Sequence, residues 1–106
     1  MTITALLNEI GFSYSEGEFR AEAKLPYFVW DRECESVYAG SEVVYNSEYA
    51  IIRLVRGKSY SNSELVVENV FAKYGIAYDK DDEWIGGAQR VRLITYTLTE
   101  GAVEFG

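Results

Sequence analysis

YAIIRLVRGKSYSNSELVVENVFAKYGIAY, residues 49–78, reads as strand, turn, helix and strand in succession. Tyr49-Ala50-Ile51-Ile52-Arg53-Leu54-Val55 is a β-branched and apolar run of strand length. Gly57-Lys58-Ser59-Tyr60 breaks it. Ser61-Asn62-Ser63-Glu64 has the S-x-x-E form of a capping box, in which serine accepts from the Glu64 amide and the carboxylate reaches back. Behind it Val67, Val70, Phe71 and Tyr74 fall at i, i+3, i+4 and i+7, one apolar stripe of an α-helix expected from about Ser61 to Tyr74. Gly75 stands where a left-handed C-terminal residue is wanted. Ile76-Ala77-Tyr78 then restarts an extended run. One helix lying on a sheet is the expected centre of the fold.

Working outward, Thr2 or Thr4 can cap a short helix carrying Leu6, Leu7 and Ile10 on one face, with Gly11 ending it. Phe12-Ser13-Tyr14 reads as a short strand, and Ser15–Glu18 as a turn. Phe19 to Lys24 fits neither period cleanly. Pro26 biases Leu25 towards an extended conformation. Tyr27-Phe28-Val29-Trp30 is apolar on both faces, as a strand covered on both sides would be. Cys34 to Ser47 is read as a mobile arm or a small hairpin, the alternative being a surface loop. Asp79–Glu83 reads as an acidic turn and Gly86-Gly87 as another. Gln89 to Thr99 is the longest strand candidate, with core contact expected to switch faces midway. Gly101 to Gly106 is expected to fray.

The totals narrow the function. A chain of 106 residues suits one domain, and 48% hydrophobic residues spread along it supply a core. A net charge of -7 argues against nucleic-acid or anionic-membrane binding, where basic patches supply the affinity. There is no histidine, and Cys34 is the only cysteine, which removes the commonest general base, an internal disulfide and cysteine-based zinc sites. No apolar run approaches the ~20 residues of a membrane span, and the start lacks the pattern of a secretory signal. A soluble chain made in the cytoplasm is the expectation.

Enzyme motifs are missing: there is no glycine-rich phosphate loop, nucleophile elbow or Cys/His pair. Asp79, Asp81 and Glu83 are calcium-ligand candidates, but they lack the loop of an EF-hand, and a solvated turn is the preferred reading. No catalytic residue, metal or cofactor is therefore assigned. The nine tyrosines say more. Tyrosine is favoured at protein interfaces. Tyr38, Tyr45 and Tyr60 sit in segments read as loops, and together with Trp84 they tilt the reading towards a protein that contacts other proteins.

The order of these pieces resembles the small tail-terminator or tail-completion proteins of long-tailed phages. The matching features are the short N-terminal helix, Pro26–Trp30 (PYFVW), Val43-Val44-Tyr45 and the Tyr49–Val55 strand. Ser63–Glu68, Tyr74–Tyr78 and the closing Val91–Leu98 strand with Tyr96 follow, so the resemblance covers nearly the whole chain. It implies an α+β fold in which an antiparallel sheet carries one long helix on one face, with a short N-terminal helix and a projecting loop or hairpin. It implies a virion protein that forms a ring, usually of six, capping the tail tube and joining the tail to the head connector, without catalysis or cofactor. DNA would pass through such a ring without specific binding. An acidic lumen achieves that by repulsion, and Asp79, Asp81, Asp82 and Glu83 are its densest source, unless that stretch faces solvent outside. The alternative from another class is a cytoplasmic ferredoxin-like module that holds a small ligand or regulates a partner, with a closed apolar pocket of its own.

Overall fold

The computed structural model describes residues 1–18, 25–57, 62–85 and 91–105, with the backbone alone at 37 and 43–46. The elements run α1 (Ile3–Ile10), β1 (Ser13–Glu16), β2 (Tyr27–Ala39), β3 (Glu42–Gly57), α2 (Asn62–Lys73), β4 (Tyr78–Ile85) and β5 (Val91–Leu98). The fold is mixed α/β: two helices and a five-stranded sheet in the order β1-β2-β3-β5-β4. Every neighbouring pair is antiparallel except β1 with β2, which is parallel.

Thr2 caps α1, its side chain accepting from the Ala5 amide at 3.2 Å. Gly11, at φ 91, closes it by donating to the Leu7 carbonyl. Four apolar residues of α1 are buried: Ile3, Leu6, Leu7 and Ile10. The second helix is shorter than its sequence pattern suggests. At 12 residues it is not the one long helix of the resemblance, and it buries Ser63, Val67 and Phe71. Val70 is only partly buried, and Tyr74 is 42% exposed. The cause is the helix end. Ile76 N–H donates to the Phe71 carbonyl at 2.9 Å and Gly75 N–H to that of Ala72 at 3.2 Å. With Gly75 at φ 66 this is a Schellman closure, which makes Tyr74 the C-cap and turns it off the stripe. Ile76, not Tyr74, supplies the last buried contact. Ser61, and with it the expected capping box, lies outside the described residues, as do Phe19–Lys24 and Gly86-Gly87.

Directly paired residues share a sheet face. Phe28 with Leu54, Trp30 with Ile52, Ile52 with Tyr96 and Leu54 with Ile94 therefore form one face. These residues join those of both helices in a single core, so α1 and α2 cover the same side. On the opposite side Val29 and Val55 are also buried, as expected for a strand covered on both faces. The pairing of β5 runs unshifted, and Ile94, Tyr96 and Leu98 are all buried, so its core contact does not switch faces. The C-terminal segment does not fray. Ile3 N–H donates to the Glu104 carbonyl at 2.8 Å, Val103 is buried, and the Phe105 ring stacks on Trp30 with centroids 6.2 Å apart.

The stretch from Cys34 to Ser47 belongs to a long hairpin, not to a loop. Pairing of β2 with β3 extends from Tyr27↔Val55 to Ala39↔Glu42, with one register shift at Val37/Tyr38. The first strand flanks β2 only over Tyr27–Trp30, and β5 flanks β3 only over Ile51–Gly57. Among the described residues, 31–39 and 42–50 pair only with each other, a ribbon roughly 30 Å long at strand rise. It accounts for much of the 51 Å long axis. The two-residue loop Gly40-Ser41 closes it. A positive φ at Gly40 alone suits a type II′ turn, whose twist matches that of the strands.

Phe71→Ala should lower stability by about 3–5 kcal/mol, as emptying a close-packed aromatic site does. Tyr74→Ala should cost about 1 kcal/mol or less, since the residue is 42% exposed and its partners Glu9 and Lys73 lie at the surface. Denaturant midpoints of the two variants check both, and a larger loss at Tyr74 would contradict the helix end described above.

Candidate interaction surfaces

Three surfaces are built by this arrangement. The first is the ribbon. Its exposed residues include Glu33, Cys34, Glu35, Tyr38 and Glu42, and Tyr38 is 62% exposed. At its root Arg32 pairs with Glu48 across the two strands, and the Cys34 thiol lies 3.7 Å from the same carboxylate. The Arg32 guanidinium also sits 4.9 Å over the Phe105 ring, which ties the ribbon to the C-terminal segment.

The second surface is an open groove of about 1030 Å³ between the ribbon root and that segment. Arg32, Cys34 and Glu48 line one wall, and Glu100, Val103 and Glu104 the other. Its lining is mixed, with Val103 and Phe105 beside the charged side chains. A smaller hollow of about 270 Å³ lies beside it, lined by Thr2, Glu16, Trp30 and Phe105 among others.

The third surface is β4. The residues expected to form an acidic turn are a strand at the sheet edge, paired from Tyr78↔Leu98 to Ile85↔Val91. Aspartate is a poor strand former, but β5 supplies one complete ladder, and alternation sends the side chains to two faces. Asp79, Asp81 and Glu83 project on the face without helices and are exposed. Lys80, Asp82 and Trp84 project on the helix side. Asp82 pairs with Arg92 at 2.8 Å, and the Arg92 guanidinium lies 4.6 Å over the Trp84 ring, which is 48% exposed. Among the described residues no cluster is placed to hold a metal, and no helix is long and apolar enough to cross a membrane.

Beneath α2 lies an ionic network that the sequence did not announce. Glu64 accepts from Arg56 and pairs with Lys80 at 2.8 Å. Glu68 accepts from the Tyr78 and Tyr96 hydroxyls at 3.0 and 3.2 Å and pairs with Lys80. Burial pulls the Glu64 carboxyl upward, yet the hydrogen bonds from Lys80 and Arg56 outweigh it and hold the group below its usual range. Burial, with the Glu68 charge beside it, pushes the Tyr96 phenol far above its ordinary value, so it remains a donor. The helical spacing of Glu64 and Glu68, one turn apart on the flank of the buried stripe, was the available signal.

Of the residues singled out in the sequence, Asp79, Asp81, Asp82, Glu83 and Trp84 lie together on β4. Tyr38 lies apart from them, on the ribbon. Tyr60 and the side chain of Tyr45 fall outside what is described. Sequence reasoning missed the groove, whose walls come from strands and a terminal segment far apart in the chain. Compared with known proteins, the chain matches no family model and no curated protein.

A carboxylate held low in the fold stabilises it above its unfolded pKa of about 4.3 and loses that contribution as pH falls through the folded value. Glu64→Gln should therefore cost about 1–3 kcal/mol at pH 7, because it leaves the buried Arg56 short of a charged acceptor. Its stability should also fall less steeply than the wild type's below pH ~4.3. Urea melts at pH 7 and pH 3 measure both effects.

Proposed function

We propose that the chain is a structural subunit of a phage particle, one that caps the tail tube and joins it to the head connector as a ring, usually of six. The observation that carries the reading is the ribbon. Two strands that, among the described residues, pair only with each other over nine residues each are marginal in water by themselves. Such an element gains stability when a neighbour covers it, and each subunit of a ring offers one neighbour to the next. The helical layer on one face of the sheet fits the resemblance as well. In this reading DNA passes through the ring without specific binding, consistent with the net charge of -7. The small-ligand alternative calls for a closed apolar pocket, whereas the larger of the two hollows is open and has Arg32, Glu48, Glu100 and Glu104 in its lining. The element order α-β-β-β-α-β-β also differs from the β-α-β-β-α-β of a ferredoxin-like fold.

Shortening the ribbon tests the reading. Deleting residues 37–39 and 42–45 leaves Ser36 and Asn46 joined by Gly40-Ser41. The free subunit should keep its denaturant midpoint within about 1 kcal/mol. Mixed with tail-tube and connector proteins, it should form no rings by electron microscopy, whereas the intact chain should. Normal rings from the shortened chain, or none from the intact one, would remove the proposal's basis.

A further inference from the structure

The free edge of β4 has a chemistry of its own. Eight residues, Tyr78–Ile85, pair on one side with β5 and on the other with no described strand, and seven of the eight are exposed. An unpaired edge of this length is a template for another strand. Its side chains then decide which strand. Every described lysine and arginine side chain is already ion-paired: Arg32, Arg53, Arg56, Lys73, Lys80 and Arg92. Asp79, Asp81 and Glu83 have no such partner among the described residues and form a row of carboxylates along one face. They exclude a second copy of the same edge. In an antiparallel β4–β4 pair directly opposed residues share a face, so Asp81 would meet Asp81 and Asp79 would meet Glu83, and like charges opposed across strands destabilise the pair. The same row attracts a strand of opposite charge. At its end Trp84, 48% exposed on one face, and Ile85, 41% exposed on the other, offer apolar contacts to that strand.

We propose that the β4 edge accepts a basic extended segment of a partner protein by strand addition, with lysine or arginine at alternate positions facing Asp79, Asp81 and Glu83. Backbone hydrogen bonds supply the attachment, and the carboxylate row sets the register and the charge. The inference does not rest on the ring reading, because it concerns the free subunit and a soluble strand.

The test uses the full chain and an eight-residue peptide alternating lysine and threonine. Two controls are the same composition with its lysines contiguous, and the alternating peptide N-methylated along one edge. Binding is followed by fluorescence anisotropy, and its location by amide exchange. The alternating peptide should bind at least tenfold more tightly than either control and should slow exchange at alternate β4 amides. The variant Asp79→Lys/Asp81→Lys/Glu83→Lys, which breaks none of the ion pairs above, should lose at least tenfold for it while keeping the wild-type thermal midpoint. It should gain affinity for the peptide in which glutamate replaces lysine. If that variant unfolds, the N-methylated control on the wild-type chain decides. Equal binding of the N-methylated peptide would reduce the effect to charge adsorption and overturn the proposal. So would protection falling on residues 31–39 and 42–50, or no binding by the alternating peptide.

Discussion

Three aromatic rings hold the helical layer to the sheet. Phe71 of α2 lies 5.1 Å from Tyr78 of β4 and 5.3 Å from Tyr96 of β5, and the two tyrosines are 5.3 Å from each other. Edge-on contacts of this kind add to burial itself. Both phenol groups need a partner where they end, and Glu68 of the same helix supplies it. The helix therefore carries both the apolar plug and its polar cap, one turn apart. Moving α2 by a single residue would break the packing and orphan the hydroxyls together.

Much of this was legible in the chain, and the failures have physical causes. The first helix was readable because Thr2 and Gly11 mark both ends and the stripe between them is complete. The core of α2 was readable from Val67 and Phe71, but its end was not. Periodicity continues to Tyr74, whereas backbone closure at Gly75 stops the helix a residue earlier. The Asp79–Glu83 run was read as a turn because its residues disfavour strands in isolation. Its position beside β5 overrode that preference. The Gly40-Ser41 turn signal was present in the sequence, but the length of the hairpin was not, since a ribbon outside the core has no burial pattern to display. The groove was unreadable for a related reason. Its second wall is the C-terminal segment, whose docking depends on one isolated bridge to Thr2 and on the Trp30 ring.

The charge distribution follows the layers. On the helix side, carboxylates and cations meet in pairs, and the Glu64–Lys80–Glu68 chain lies partly buried at the rim of the core. On the far side of β4, the exposed face of this edge strand, the carboxylates stand without cations among the described residues. Such charge does not determine the fold; it governs which neighbours can approach.

The ribbon is a cantilever. It is clamped at the root, where Arg32 meets Glu48 and Phe105, and Phe105 rests on Trp30. Beyond that clamp the described residues supply two strands and no third layer. For a beam roughly 30 Å long, a rotation of about 10° at the root carries the tip about 5 Å, close to one inter-strand spacing. Small changes around Phe105 are therefore magnified at Gly40, and the C-terminal segment, far from the tip in space, sets where the tip points.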